Sequence, residues 1–493
     1  MTTDHRPNEP NWIGEQVQDW SSKPGDRVVR RPREEQLSPV LITVSPPRAR
    51  TYSLTSPLFV LYTFFALIVV STLVLLLPFM HEGSGFTPFM EAFFTAVSAI
   101  TVTGLVVQET ATYWTPVGQI AILGMIFVGG MSFMVTVTFL VALTGKRLNL
   151  SQRIQSHGVL HIDQLAGLRR LILTLIILMT GIQFIGFLLL LSRFWFLFPP
   201  SEAIFQAAFQ AVSGFNNAGF VILPGSESFS SYQLDRIVLS ITAILVLLGA
   251  TSYWVIVDMI RAGNFTLMAL NTKLVIIFSV ALILSGATFF FLAEYDNEST
   301  IGTLELGDKI IVSIFESMSG RTAGFSTVGW GAGQIEQPTK IFFTVLMFIG
   351  GASGSVAGGI KINTLAIVLI GLLSTFRGII RPRAFGREIP KVQIQSALTL
   401  LLSGIIVVFL TTLVITFTES QVAFVELFFE VVSALGTAGL TTGLTEEISD
   451  LGHLILAAAM FIGRIGPFAL FLFLIQRAGV SSYRYAEERV TLG

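Results

Sequence analysis

The sequence predicts an all-α polytopic membrane protein with eight full spans, arranged as four pseudo-repeated units. Three observations carry that expectation. The chain of 493 residues is 52% hydrophobic and only 12% charged, about half the charge of a soluble globular protein, where roughly 25% is usual. Its mean hydropathy is +0.74, and apolar runs long enough to cross a bilayer, about 20 residues each, recur along it. Four short segments of similar sequence fall between successive pairs of those runs. This composition argues against a soluble enzyme, a nucleic-acid binder and a disulfide-stapled secreted module. The cysteine count is 0, which removes thiolate metal sites and cysteine nucleophiles.

Residues 1–51 read as a cytoplasmic arm, because they are polar, charged and rich in proline with no sustained apolar period. They hold no apolar core before a small-residue cleavage site, so a cleavable signal peptide is not expected. The eight spans are predicted at 57–80, 115–143, 168–198, 232–260, 273–293, 339–376, 394–417 and 451–476. They divide the chain into a first repeat at 52–146, a second at 147–263, a third at 264–391, and a fourth with a short cytoplasmic tail at 392–493. Most of the 30 Lys and Arg residues stand at the termini or between pairs of spans, among them Arg147, Arg170, Arg381 and Arg477. Acids such as Glu82, Glu298 and Asp450 stand within pairs. By the positive-inside rule both termini are cytoplasmic and the four short segments re-enter from outside.

Those segments read EAFFTAVSAITVTGL (91–105), QAAFQAVSGFNNAGF (206–220), IVSIFESMSGRTAGF (311–325) and ELFFEVVSALGTAGL (426–440). Each joins an aromatic-rich helical stretch to small residues and a Gly followed by Leu or Phe. The shared glycines, Gly104, Gly219, Gly324 and Gly439, are 115, 105 and 115 residues apart. Non-helical backbone at membrane depth must line a cavity or be held by protein. A short helix entering from outside points the negative end of its dipole toward the membrane centre, and four such ends converging on one axis favour a cation. Glycine admits backbone geometries that a side chain would obstruct, and rings of backbone carbonyls replace the hydration shell in potassium filters. The expected unit is therefore helix–pore helix–filter loop–helix, four times around one central pore.

The sixth span is interrupted by Gly350-Gly-Ala-Ser-Gly-Ser-Val-Ala-Gly-Gly359. Each glycine costs about 1 kcal/mol in a helix interior relative to alanine, so the helix is expected to break there. Close helix packing through small residues is the alternative use of such glycines. Arg464 lies in the middle of the eighth span, where an Arg costs about 2.5–3.5 kcal/mol on insertion scales. It must face a pore or pair with buried carbonyls.

Through the filter segments TVTGL (101–105), NNAGF (216–220), RTAGF (321–325) and GTAGL (436–440), the chain resembles the Trk/Ktr/HKT superfamily of potassium transporters. The resemblance runs from about 52 to 480, and eight spans without a further N-terminal pair look most like the Ktr-type (KtrB-like) membrane subunit. It implies potassium uptake across the bacterial plasma membrane, with K+ as the transported ion and Na+ as a candidate activator. Glycine at all four filter positions accompanies potassium selectivity in the family, whereas serine in the first repeat accompanies sodium transport in some plant members; here the first position is Gly104. The filter reading makes the carbonyls of Val102, Thr103, Asn217, Ala218, Thr322, Ala323, Thr437 and Ala438, with the four glycines, the candidate ion ligands. Arg321 would repel an ion that it faced, so it is expected behind its loop, paired with an acid such as Glu316.

The glycine-rich segment looks like the family's intramembrane gating loop, which the matching arginine contacts. Gly350, Gly351, Ala352, Ser353, Gly354, Ser355, Gly358, Gly359 and Arg464 are accordingly the candidate gate, with Lys361 expected to snorkel toward the cytoplasmic face. The family also implies a homodimer seated on a cytosolic RCK-type nucleotide-binding regulatory ring. This chain has no Rossmann-like βαβ segment, so it is expected to bind no nucleotide itself. The basic stretch 144–170 suits either an interfacial helix in contact with membrane lipid or a docking site for such a ring. Two other transport readings are a less selective sodium/potassium channel and an inverted-repeat secondary transporter, which needs halves of opposite topology. An intramembrane enzyme is disfavoured, because the 5 histidines form no metal-ligand set and no acid pair or Ser/His arrangement lies at membrane depth.

Overall fold

A computed structural model describes residues 57–130, 168–225, 228–379 and 381–466, all within the larger of the chain's two units, Leu54–Gly493. The N-terminal arm, residues 144–167 of the basic stretch, the ends of the second and eighth predicted spans, and the C-terminal tail lie outside the described residues. The helices are α1 (Pro57–Leu75), α2 (Phe89–Thr101), α3 (Thr110–Tyr113), α4 (Pro116–Gly130), α5 (Leu168–Phe194), α6 (Pro200–Phe215), α7 (Arg236–Ala250) and α8 (Tyr253–Ala262). They continue with α9 (Leu270–Ala293), α10 (Leu306–Thr322), α11 (Gln337–Phe348), α12 (Ile362–Phe376), α13 (Lys391–Thr418), α14 (Phe424–Gly436), α15 (Leu444–Glu447) and α16 (Asp450–Ile465). A two-residue hairpin, Arg383–Ala384 with Arg387–Glu388, joins α12 to α13.

Among the described residues, three helices are long and apolar enough to cross a membrane: Leu173–Phe194 within α5, then α9 and α13. They match the third, fifth and seventh predicted spans. Their outward faces carry exposed large apolar side chains, such as Ile177, Leu284 and Phe409. So much bare apolar surface is compatible with a lipid environment rather than with water.

Each of α1, α5, α9 and α13 packs along the short helix that follows it, α2, α6, α10 and α14 respectively. The next helix of each set, α4, α7, α11 and α16, packs on that same short helix and also on the short helix of the next set: α4 on α6, α7 on α10, α11 on α14, and α16 back on α2. The packing therefore closes on itself. Three of these contacts depend on glycine: a Cβ at Gly129, Gly249 or Gly463 would collide with the carbonyl oxygen of Ile100, Phe215 or Leu435, near the C-terminal end of α2, α6 and α14. Charge pairs tie neighbouring elements beyond these contacts. Arg193 meets Asp235 at 2.8 Å, Arg236 meets Asp308 at 2.6 Å and Lys340 meets Glu426 at 3.0 Å. Asp235 also caps α7, accepting from the amides of Ile237 and Val238.

One span departs from expectation. The fourth, predicted as a single run over 232–260, is two helices, α7 and α8, bent by 97°. The sequence has no proline there; the cause is tertiary. The carbonyls of Gly249 and Ala250 accept from the amides of Val356 (3.2 Å) and Ala352 (2.9 Å) in the loop between α11 and α12. Thr251 is consequently extended, at φ −90 and ψ 132.

Candidate ion pathway

The four short helices end alike but not identically. After α2, α6 and α14 a residue in the left-handed region reverses the chain: Val102 (φ 56), Asn217 (φ 54) and Thr437 (φ 46). The next amide returns to the carbonyl of a serine, as Thr103 to Ser98, Ala218 to Ser213 and Ala438 to Ser433, each 2.9 Å. This 6→1 closure satisfies helix-end carbonyls in the manner of a Schellman cap. The third loop is different. Thr322 is still helical, and the amides of Ala323 (2.8 Å) and Gly324 (3.2 Å) both donate to Ser319. Serine hydroxyls brace the loops from behind: Ser98 accepts from the Gly104 amide at 3.0 Å, Ser213 donates to the Phe220 carbonyl at 2.7 Å, and Ser319 donates to that of Phe325 at 2.5 Å.

Beyond the caps the four glycines meet. All have positive φ, at 92, 72, 73 and 83 for Gly104, Gly219, Gly324 and Gly439. A Cβ on Gly104 would lie 2.5 Å from the Ala218 carbonyl oxygen, one on Gly219 2.8 Å from that of Ala323, and one on Gly324 2.8 Å from that of Ala438. A Cβ on Gly439 would collide with the Thr103 carbonyl oxygen, which returns the series to the first loop. Each glycine thus faces the carbonyl that precedes the next glycine in chain order. No larger residue fits any of the four positions without moving backbone.

Val102, Thr103, Asn217, Ala218, Thr322, Ala323, Thr437 and Ala438 are all buried at this ring. Residues on the far side of the glycines line a cavity of about 810 Å³, which reaches all four glycines and includes Glu109, Trp330, Gln334 and Glu446. Tyr113, on the cavity wall, has its hydroxyl pKa raised by burial and by the nearby Glu91 carboxylate.

Two buried carboxylates support the loops beyond the ring, a role not anticipated from the sequence. Glu316 accepts from the amide (2.6 Å) and hydroxyl (2.8 Å) of Thr327, three residues past Gly324. Glu430 accepts from the Thr442 amide, the Thr441 hydroxyl and the Thr445 hydroxyl, each at 2.7 Å. The available signal was their common place in the segments, three residues before Ser319 and Ser433. Since Glu316 is engaged with Thr327, the expected Arg321–Glu316 pair is not formed. Arg321 is 2% exposed, and its Nε and Nη1 have no hydrogen-bond partner.

On the other side of the ring, residues 349–361 form a non-helical loop between α11 and α12. The Gly350 amide donates to the Ile360 carbonyl (2.8 Å), and the Ile360 amide returns to Phe348 (3.1 Å), closing the base of the loop. The Ser353 amide donates to Asn363 Oδ1 at 2.9 Å. Ala352 and Val356 hold the loop to the end of α7, as described above, and Gly351 and Ser355 lie at the same contact. Gly354 (φ 80) and Gly359 (φ 65) turn the chain. A Cβ on Gly358 would collide with the hydroxyl of Thr437 and come within 3.0 Å of the Gly436 carbonyl oxygen, so the loop abuts the fourth cap. Arg464 donates through Nη1 to the Val356 carbonyl and through Nη2 to that of Gly129. The Lys361 ammonium folds back onto the Ala357 carbonyl.

The comparisons with known proteins agree with this architecture. The family model for TrkH, a cation transport protein, matches residues 161–478. The Ktr system potassium uptake protein B of Bacillus subtilis is 34% identical over 430 residues, covering 87% of this chain and 95% of that protein. The potassium/sodium uptake protein NtpJ of Enterococcus hirae is 32% identical over 436 residues, again covering 87% and 95%. The crystal structure of the potassium transporter TrkH from Vibrio parahaemolyticus superposes with a TM-score of 0.64 over 87% of this chain and 86% of that one, at 18% identity, a likeness of fold. With the family model spanning most of the chain and relatives this similar covered almost end to end, the chain belongs to the TrkH family of cation transport proteins.

Proposed function

We propose that this chain is the membrane pore subunit of a potassium uptake system of the Ktr type, with K+ as the ion carried through the glycine ring. The observation that carries the reading is the cyclic series of glycine-to-carbonyl contacts, in which four loops from distant parts of the chain place small, carbonyl-rich backbone around one point. The Ktr and NtpJ relatives, named for potassium and potassium/sodium uptake, support the choice of ion. In this reading the chain consists of four pseudo-repeated units with eight spans, and both termini are cytoplasmic. The 810 Å³ cavity is the outer vestibule. The filter carbonyls of residues 102–104, 217–219, 322–324 and 437–439 replace the hydration shell of the ion.

The loop at 350–359 is the gate, closed in this conformation. Its contact with the fourth cap at Thr437 and its tie to Arg464 support that assignment. The guanidinium adds a positive charge to the path below the filter, which opposes cation passage until the loop and Arg464 move. A second copy of the chain and a cytosolic nucleotide-binding ring of RCK type complete the system, consistent with relatives named as components of a Ktr system. Na+ acts as an activator in this scheme rather than as the main cargo.

Growth of potassium-uptake-deficient bacteria at low potassium tests the function. The chain co-expressed with an RCK-type partner is expected to restore growth. Failure of a well-expressed, membrane-inserted complex to do so would overturn the reading.

A further inference from the structure

One side-chain hydrogen bond runs directly between two filter loops. Asn217 and Thr322, each 1% exposed, meet with the amide group 2.8 Å from the Thr322 hydroxyl. The amide orientation that satisfies all its neighbours has the Asn217 oxygen accepting from that hydroxyl, while its nitrogen donates to the carbonyls of Val246 (3.1 Å) in α7 and Phe215 (3.2 Å) in α6. Gly249 makes this possible: a Cβ there would come within 2.7 Å of the Asn217 amide nitrogen in this orientation.

The bond joins the second loop to the third, whose backbone differs from the rest. The other three loops are set by a left-handed residue two positions before glycine, whereas Thr322 remains helical. The third loop therefore lacks the left-handed residue two before glycine that sets its neighbours, and the Arg321 guanidinium directly before it is not anchored through Nε or Nη1. What holds the Thr322 side chain is Asn217. The position two before glycine carries Val102 in the first loop and Thr437 in the fourth, so neither offers an amide for this task.

From this geometry we infer that Asn217 and Thr322 form a positioning pair that sets the separation of the second and third filter loops, and with it the discrimination between K+ and Na+. The inference rests on the filter reading above and concerns the side chains, not the carbonyls that would contact the ion. A carbonyl ring distinguishes the two cations by the number and placement of its oxygens. A buried hydrogen bond whose loss leaves a polar group unsatisfied has a net value large enough to matter, so releasing one loop alters the ring without dismantling it.

The test approaches the bond from both sides, in the complex of the chain with its RCK-type partner reconstituted into vesicles, with K+ and Na+ influx measured in parallel. Thr322→Val keeps the shape and removes the hydroxyl. Asn217→Gly removes the amide and keeps the left-handed backbone accessible. Each is expected to lower the K+/Na+ influx ratio by about threefold to tenfold, and the double variant to do no worse than the more severe single one, as for two ends of one interaction. Thr322→Ser, which restores the hydroxyl, is expected to keep the wild-type ratio. A wild-type ratio in whichever of Thr322→Val and Asn217→Gly conducts K+ would overturn the pair's role. A wild-type complex that passes no K+ would instead count against the filter reading.

Discussion

Arg464 donates to the backbone carbonyl of Val356, so the end of α16 is bound to the middle of the glycine-rich loop between α11 and α12. Through its other terminal nitrogen the same guanidinium holds Gly129 at the end of α4. One side chain thus links three segments that are far apart in sequence. It also resolves two problems together: a charge that is costly at membrane depth, and loop carbonyls that no helix can satisfy.

Replacing Arg464 with alanine is expected to raise potassium flux. Two charge-assisted hydrogen bonds to the closed arrangement disappear, each worth about 1.5–3 kcal/mol, and every 1.4 kcal/mol lost shifts a closed-to-open ratio by roughly tenfold. Flux at matched protein abundance is the measurement. An unchanged rate would separate Arg464 from gating.

At the ring, Gly219→Ala is expected to impair selectivity. The new methyl would stand 2.8 Å from the Ala323 carbonyl oxygen, at a backbone φ of 72 that L residues rarely adopt. The left-handed conformation alone costs about 1–2 kcal/mol, and relief requires displacing the third loop. Competition of Na+ with K+ uptake should increase by about tenfold; wild-type competition would mean that this contact is slack.

Glu430→Ala is expected to destabilise the fourth loop more than Glu430→Gln. Alanine leaves the Thr442 amide and the Thr441 and Thr445 hydroxyls without their acceptor, at about 1–3 kcal/mol for each buried group left unpaired. Glutamine keeps one acceptor oxygen. Thermal unfolding of the solubilised protein should rank wild type above Gln above Ala, and equal melting points for the two variants would contradict the bracing role.

The Lys340–Glu426 pair offers an asymmetric cycle. Lys340 is fully buried, while the Glu426 side chain is 15% exposed. Glu426→Gln strands a buried ammonium, at about 3–5 kcal/mol, whereas Lys340→Met leaves a carboxylate that still reaches water. The melting temperature should therefore fall furthest in Glu426→Gln and recover in the Lys340→Met, Glu426→Gln double variant. A double variant less stable than both singles would refute the argument.

The parts of the candidate site that were legible in the sequence were local in origin. Gly104, Gly219, Gly324 and Gly439 stand out because a positive φ and an approach too close for a Cβ select one residue type, whatever surrounds them. The break at 350–359 follows from glycine density, and the need to neutralise Arg464 follows from its place in an apolar run. The Arg321–Glu316 pair and the straight fourth span differ from the structure for a shared reason: the partners that decide them do not lie where the local sequence points. Glu316 had a better donor in Thr327, and the carbonyls of Gly249 and Ala250 had donors in the loop of another span.

Composition and periodicity alone therefore established a helical membrane chain, the four glycine segments and the interrupted sixth span, because hydropathy and backbone permissiveness are properties of each stretch by itself. Which carbonyl each glycine faces, where α7 bends and what Arg464 holds were decided only when the segments came together. In a low-dielectric interior a buried polar group without a partner is costly. The matching of partners is made across the whole molecule, between residues the sequence keeps far apart.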